Sequence, residues 1–192
     1  MAKQKKGILG PISGKIGPVI GSSWKGIPYL RAVPKVTKGR MPSPAQQAHY
    51  QKFKFLNTWL RPLHPFLMIG YQNLAVRTTE INAAFSYNFK TALTSNGGSF
   101  QVDFEKFRIS RGDLNGILEP MLTLLNENTL QLNWQNLDGR LSSYNDQLML
   151  LVYNDELRIA DGFTSGIKRA AKSCKFTFDQ RLVGKPFTCS LA

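Results

Sequence analysis

The spacing of apolar residues changes near residue 100, and this change constrains the fold more than any other feature of the chain. Up to Leu93, apolar residues in the middle of the chain recur at roughly the spacing of an α-helix. Beyond residue 100, short segments alternate apolar and polar residues between turn signals such as Arg111-Gly112-Asp113. With 42% hydrophobic residues among 192, the chain can bury a real core. The pattern therefore predicts an α+β protein.

Three helices are predicted between residues 43 and 96. Ser43-Pro44-Ala45-Gln46 has the pattern of a capping box with proline at the first helical position, so the first helix begins there and ends before Pro62. A short second helix follows and ends at Gly70, because glycine commonly terminates helices. The third helix begins near Thr78 or Thr79, either of which can cap its N-terminus.

Ahead of these helices, a β-hairpin is predicted in a basic N-terminal segment. Its strands are Lys15–Ser22 and Ile27–Val33, and Gly26 between them can take the positive φ of a tight turn. Pro18 marks the first strand as an edge or bulged strand, since proline cannot donate a backbone hydrogen bond. A basic, proline-containing linker, Pro34–Pro42, joins the hairpin to the helices.

After residue 100, eight short strands with turn signals between them predict an antiparallel β-sandwich resembling a fibronectin type III domain. Trp134 lies in phase with Leu130 and Leu132 and is predicted to anchor the sandwich core. We therefore predict a basic hairpin-and-helix region over residues 1–99 and an independent sandwich domain over residues 100–192. The candidate strands are Phe100–Phe104, Phe107–Ser110, Met121–Leu125, Thr129–Gln135, Gln147–Tyr153, Glu156–Ala160, Lys175–Phe178 and Phe187–Leu191.

The net charge of +13 belongs to the first two-fifths of the chain. Residues 1–79 contain 13 Lys and Arg residues and no Asp or Glu, and the first acidic residue is Glu80. The remaining 12 basic and 12 acidic residues cancel. Positive charge this concentrated points to an anionic partner, either nucleic acid or an acidic protein. A solvated basic face without a partner is the alternative.

Aromatic residues interleave with the basic residues of the predicted hairpin. Trp24 and Tyr29 alternate with Lys25 and Arg31, an arrangement suited to stacking on bases while pairing with phosphates. The two rings can equally cap a small core beneath the hairpin. We predict that the polyanion-binding residues are those of the hairpin and its linker, namely Lys15, Trp24, Lys25, Tyr29, Arg31, Lys35, Lys38 and Arg40.

No catalytic signature is present, so the sequence does not predict an enzyme. The two histidines, His49 and His64, fall in the helical region, where packing or surface roles are more common than catalysis. Cys174 and Cys189 lack the spacing of zinc ligands and are predicted to be buried free thiols rather than a disulfide. We expect no cofactor and no metal.

The N-terminus opens with lysines but lacks the uninterrupted apolar centre of a signal peptide. No segment approaches the roughly 18 consecutive apolar residues of a membrane span. We therefore expect a cytoplasmic protein, or one that leaves the cell within an assembly.

Several strings in the chain resemble those of a known family. They are Ser13-Gly14-Lys15-Ile16-Gly17-Pro18-Val19, Ser23-Trp24-Lys25-Gly26-Ile27-Pro28-Tyr29-Leu30-Arg31, Ser43-Pro44-Ala45-Gln46-Gln47 and Ile81-Asn82-Ala83-Ala84-Phe85-Ser86-Tyr87-Asn88. Through them the chain resembles an uncharacterised family of basic proteins from Bacteroidota. The resemblance covers most of the chain and implies no activity, because the family is a domain of unknown function.

The leading prediction is a non-enzymatic binding or assembly protein whose basic N-terminal half docks on a polyanion, most plausibly nucleic acid. The alternative is a structural subunit of a larger phage-like or secreted particle, in which the basic half contacts acidic partners and the chain forms a homo-oligomer or larger assembly. A hydrolase with an unrecognised site is a minor third reading.

Overall fold

Helices and antiparallel strands both occur in the computed structural model of this chain, which describes residues 2–4, 7, 10–35, 41–96, 99–114, 116–135 and 145–192. The predicted α+β class is confirmed. Contacts divide the chain into two compact units, an N-terminal unit of residues 1–45 and a C-terminal unit of residues 46–192. Whether residues 100–192 fold alone, as the boundary at 99/100 implies, stays a prediction.

The N-terminal unit consists of β1 (Lys3–Gln4), β2 (Ile12–Ile16), β3 (Val19–Trp24) and β4 (Ile27–Ala32), which form one antiparallel sheet in that order. The predicted hairpin around Gly26 is confirmed, because β3 pairs with β4. The predicted strand Lys15–Ser22 is wrong, because Gly17-Pro18 forms a turn that divides it between β2 and β3. Gly17 takes a φ of 52° in this turn, a left-handed conformation that glycine adopts without steric cost.

Three α-helices follow, namely α1 (Pro44–Leu60), α2 (His64–Gly70) and α3 (Glu80–Thr91), with 3₁₀ turns at Arg61–Leu63 and Gln72–Leu74. The predicted helix start at Pro44 and helix end at Gly70 are confirmed. Thr79 caps α3, since its hydroxyl accepts a hydrogen bond from the backbone N–H of Asn82 at 3.2 Å. The last residues expected in the third helix instead form β5 (Leu93–Asn96), which pairs with β6 (Ser99–Val102).

Two three-stranded antiparallel sheets complete the C-terminal unit. Their strands are β7 (Leu118–Asn126), β8 (Thr129–Gln135), β9 (Gln147–Asn154), β10 (Ile159–Lys168), β11 (Ser173–Thr177) and β12 (Thr188–Leu191), with 3₁₀ turns at Arg169–Ala171 and Gln180–Leu182. One sheet has the order β11-β8-β7 and the other β10-β9-β12. The predicted strand Glu156–Ala160 begins too early, because residues 155–158 are the turn between β9 and β10.

The predicted strand Phe107–Ser110 is wrong, because this segment is a loop. Phe107 and Ile109 are buried, which gives the segment the alternating pattern of a strand. Its polar backbone is satisfied by a side chain instead of a neighbouring strand. The buried Asn88 accepts from the Arg108 N–H at 3.0 Å and donates to the Arg108 carbonyl at 3.1 Å.

Strand β9 is the centre of the C-terminal unit, because both of its faces are buried. Met149, Leu151 and Tyr153 pack in one core with the helices, where the Tyr153 ring lies 5.2 Å from the Trp59 ring. The alternate residues of β9 pack with the facing sheet. The core position of Trp134 is confirmed, since it is 4% exposed and its Nε1 donates to the Arg169 carbonyl at 2.8 Å.

Candidate nucleic-acid interface

The N-terminal unit carries only one sign of charge. Residues 1–45 contain nine Lys and Arg residues and no Asp or Glu, so no carboxylate within the unit can neutralise its cations. The ion pairs between described residues lie in the C-terminal unit, for example between Lys106 and Asp103 at 2.9 Å. The sheet β1–β4 is therefore a positively charged surface by composition alone.

A tight turn fixes the geometry of the hairpin β3–β4. Its two central residues, Lys25 and Gly26, have φ values of 46° and 80°. Positive φ at both positions defines the two-residue type I′ turn, whose twist matches that of antiparallel strands. The turn places Lys25 at the exposed tip of the hairpin and pairs Trp24 with Ile27 directly behind it.

The strand register brings four predicted residues onto one face of the sheet. Residues that pair across strands share a face, and successive residues alternate between faces. We call this surface the basic-aromatic face. Its three cross-strand rows are Lys15–Ile20–Arg31, Ser22–Tyr29 and Trp24–Ile27.

Cations and rings occupy different ends of the basic-aromatic face. Lys15 and Arg31 flank Ile20 on neighbouring strands, which separates their backbones by about 10 Å at normal strand spacing. Trp24 and Tyr29 lie towards the hairpin tip and are 50% and 43% exposed. Exposed rings beside cations can stack on planar bases while the cations contact phosphate oxygens.

Two glycines shape the opposite face of the sheet. Gly14 has a φ of 109°, which bends β2 in its middle. Gly21 is buried, and a Cβ there would collide with the carbonyl oxygen of Ile12. The first half of β2 therefore lies against the backbone of β3. This contact lies on the opposite face, so the first half of β2 does not cover the basic-aromatic face.

The remaining predicted residues lie outside this face. Lys35 is exposed in the segment after β4, and Lys25 is at the tip of the hairpin. Lys38 and Arg40 fall outside the described residues, so their placement stays a prediction. The sequence missed Ile20, Ser22 and Ile27 as members of the face. Recognising the turn at Gly17-Pro18 would have identified them, because it sets the register of β2 on β3.

His49 and His64 both lie in helices, as the sequence predicts. His49 packs its ring 5.6 Å from the Phe89 ring, and no group of three His, Cys, Asp or Glu residues that could hold a metal occurs among the described residues. Cys174 and Cys189 are free, as predicted, and burial raises the pKa of the Cys189 thiol to about 11. The Cys174 pKa is also raised by burial, so both thiols are protonated at neutral pH.

None of the described helices is long and apolar enough to cross a membrane.

The C-terminal unit has a groove of about 600 Å³ that no sequence pattern indicated. Its lining includes Tyr71, Asn82, Tyr87, Lys90 and Arg111. The guanidinium carbon of Arg111 lies 4.9 Å from the centre of the Tyr87 ring. Arg111 therefore packs on an aromatic ring of the same unit. The chain bends at Gly112-Asp113, in agreement with the turn predicted for Arg111-Gly112-Asp113.

Comparison with known proteins identifies one similarity. The model of a family of unknown function, DUF6266, matches residues 10–189. The match includes β2, β3, β4 and every element of the C-terminal unit up to the middle of β12. No curated protein and no solved structure matches the chain.

Proposed function

The chain belongs to the DUF6266 family of unknown function, and we propose that its N-terminal unit binds nucleic acid without a catalytic step. The observation that carries the proposal is the basic-aromatic face, on which Lys15, Arg31, Trp24 and Tyr29 lie together. Cations supply affinity for phosphates by releasing counterions, and exposed rings supply stacking on bases. Neither the phosphate contacts nor the stacking depends on the base sequence of the nucleic acid.

Single strands fit the face better than duplexes. The bases of a duplex are stacked on one another, so Trp24 and Tyr29 have no base plane to contact. A sheet with half-exposed rings can accept unstacked bases from a single strand. Lys25 at the hairpin tip and Lys35 after β4 extend the positive charge beyond the face and could contact further phosphates of a bound strand.

A structural subunit of a larger particle is the second candidate function. It is supported by the exposed apolar side chains on the opposite face of the N-terminal sheet, among them Ile16, Val19 and Leu30. Exposed apolar surface of this kind is typical of a protein contact. In this case the cations would contact acidic protein groups, inside the cell or within an exported particle.

The finer description of the fold is also a proposal. The two three-stranded antiparallel sheets pack against each other through two apolar clusters, which supports a sandwich resembling a fibronectin type III domain. Two further statements about the family are proposals as well. Its origin in Bacteroidota rests on the resemblance of the residue strings quoted in the sequence analysis, and its basic character rests on the net charge of this one chain.

The test is a titration of labelled single-stranded and double-stranded DNA and RNA with the full chain at two salt concentrations. The double variant Lys15→Gln/Arg31→Gln should lower affinity and reduce the slope of log K against log salt by about 1.4 on single strands. The matched control is Lys172→Gln/Lys185→Gln, which removes the same charge from exposed positions of the C-terminal unit. It should leave the slope nearly unchanged.

A second arm tests the aromatic rings. Trp24→Ala should weaken binding to single strands by about 1–3 kcal/mol if one base stacks on the ring, and should affect duplex binding less. The absence of binding to every nucleic acid at low salt would reject the proposal and favour the structural subunit. Equal effects of the two double variants would show that net charge, rather than the basic-aromatic face, is recognised.

A further inference from the structure

Strand β7 is an edge strand with an unusual surface. Among the strands that the structure describes it pairs with β8 alone, and each of its nine residues, Leu118–Asn126, is exposed. Met121, Leu122, Leu124 and Leu125 are 65%, 38%, 58% and 45% exposed. Together with Leu118 they expose on the order of 500 Å² of apolar surface, as large as the largest apolar patch of a typical monomer. An exposed apolar edge is a template for pairing with another strand.

The other edges of the two large sheets are protected against such pairing. Strand β11 carries the exposed Lys175 in its middle, and a charge on an edge opposes strand addition. Strand β10 has a register shift between Phe163 and Ile167, and β12 is only four residues long. Irregular and short edges are poor templates.

Strand β7 is irregular at both ends, because its register with β8 shifts after Leu124 as well as before Met121. Glu119 has a φ of 45°, Pro120 lacks an N–H, and the register with β8 shifts between Leu118 and Met121. From Met121 to Leu124 the register with β8 is regular, and residues 120–125 carry no charge. This part of the edge therefore keeps the backbone and the side chains that strand addition requires.

We propose that β7 pairs with β7 of a second copy of this chain, antiparallel and centred on Thr123. The sequence Met121-Leu122-Thr123-Leu124-Leu125 is symmetric about Thr123 in its apolar and polar positions. A two-fold pair centred there places Leu122 of one copy opposite Leu124 of the other, and Met121 opposite Leu125. Within residues 121–125 no like charges meet, because this segment has none; Glu119 of each copy corresponds to Glu127 of the other, outside the paired segment.

The occupant is a second copy rather than a nucleic acid, since the segment offers no cation to a phosphate. The pair would join two sheets into one six-stranded sheet, β11-β8-β7-β7-β8-β11. The apolar surface of about 500 Å² per copy is below the roughly 800 Å² per partner of a standard interface, so the proposed dimer belongs to the size class of weak interfaces. The dimer would also carry two basic-aromatic faces, which raises the apparent affinity for a long polyanion. The pairing does not depend on nucleic-acid binding.

Disulfide trapping tests the register. In the proposed pair the Cα atoms of the two Thr123 residues are directly opposite, at about 4.5–5.5 Å, within the range that a disulfide spans. Thr123→Cys in the full chain should therefore cross-link two copies under mild oxidation, seen as a dimer on a non-reducing gel. The matched control is Thr177→Cys, at an exposed threonine of β11 on the other edge of the same sheet. It should cross-link no more than the unaltered chain, whose two cysteines are buried or half-buried.

Sedimentation velocity tests the dimer itself. The sample is treated with nuclease and measured at about 1 M salt, because the Debye length then falls to about 3 Å and a polyanion cannot bridge two copies. The unaltered chain should be dimeric, and Leu124→Lys should raise the dimer dissociation constant at least tenfold. Thr177→Lys should not change it. Because both residues are exposed, equal melting temperatures should show that the fold is intact. A monomer at every concentration would overturn the proposal, as would a dimer that survives Leu124→Lys without cross-linking at position 123.

Discussion

The two units of this chain use β-strands in opposite ways. In the N-terminal unit, Gly21 is the one buried residue among those described, and every residue of β4 is exposed. In the C-terminal unit, β9 buries seven of its eight residues between the helices and a second sheet. Burial of apolar surface supplies most of the free energy of folding. The difference teaches that the residues that stabilise this protein and the residues that we propose to bind nucleic acid lie in separate parts of the sequence.

The largest expected effect comes from cutting the helices away from β9. A chain of residues 46–192 should keep the cooperative thermal transition of the full protein, because it contains the whole C-terminal unit. A chain of residues 100–192 should lose that transition, since Met149, Leu151 and Tyr153 would lose the helical side of their core. Circular dichroism melts of both chains provide the measurement. A cooperative transition of the shorter chain at the temperature of the longer one would support the independent sandwich predicted from the sequence.

Two tryptophans compare the units directly. Trp134→Ala should cost about 3–5 kcal/mol of unfolding free energy, because the ring is 4% exposed and its removal leaves a cavity. Trp24→Ala should change that free energy by less than about 0.5 kcal/mol, since the ring is half exposed. Denaturant melts measure both values. A large loss of stability in Trp24→Ala would show that the N-terminal rings serve a core, the alternative left open by the sequence.

The helices and strands of the C-terminal unit could be predicted where local chemistry decides them. Strand β8 spans Thr129–Gln135, the range that its alternation of apolar residues predicts. The loop at Phe107 has the same alternation and is not a strand, because Asn88 rather than a neighbouring strand satisfies its backbone. Here the Asn88 side chain takes the place of a strand partner, and it lies 20 residues before the Arg108 backbone that it bonds. No local sequence pattern reveals a contact at this separation.

The candidate site was predictable as a set of residue types but not as a face. Lys15 and Arg31 are 16 residues apart in sequence, and they come together only through the turn at Gly17-Pro18 and the type I′ turn at Lys25-Gly26. Reading Lys15–Ser22 as one strand removed the first of these turns. Without the turn at Gly17-Pro18, the register of β2 on β3 that places Lys15 on the basic-aromatic face cannot be derived.

The role of Asn88 gives a prediction of intermediate size. Asn88→Ala should cost about 1–3 kcal/mol, because it leaves the Arg108 N–H without its acceptor. The Arg108 carbonyl keeps a partner, since the Tyr71 hydroxyl donates to it at 3.1 Å. Asn82→Ala, at an exposed position of the same helix, is the control and should be nearly neutral. Chemical denaturation measures both, and equal effects would contradict the bridging role of Asn88.

Alkaline pH should also act on the C-terminal unit. Burial raises the pKa of Tyr153 from 10.0 to about 12, so the folded state retains a proton that the unfolded state loses in this range. The stability that Tyr153 contributes should therefore be fully present below pH 10 and be lost as the pH rises from 10 to 12. Tyr153→Phe should make this fall less steep, because one of the titrating groups is gone. Melting temperatures of the two proteins between pH 8 and 12 give the comparison, and parallel curves would exclude a contribution from Tyr153.

The smallest expected effect separates stability from binding within the N-terminal unit. Lys25 has a φ of 46° at the first central position of the type I′ turn, where asparagine is preferred because its short side chain tolerates the left-handed conformation. Lys25→Asn should therefore stabilise the hairpin by on the order of 0.5 kcal/mol while removing one cation from its tip. Lys25→Gln removes the same charge without relieving the backbone and is the matched control. Hydrogen exchange of the β3 and β4 amides should slow in Lys25→Asn relative to Lys25→Gln, while both variants bind nucleic acid with the same reduced affinity. Exchange at equal rates would contradict the strain at Lys25, and unequal affinities would show that the shape of the turn, rather than its charge, contributes to binding.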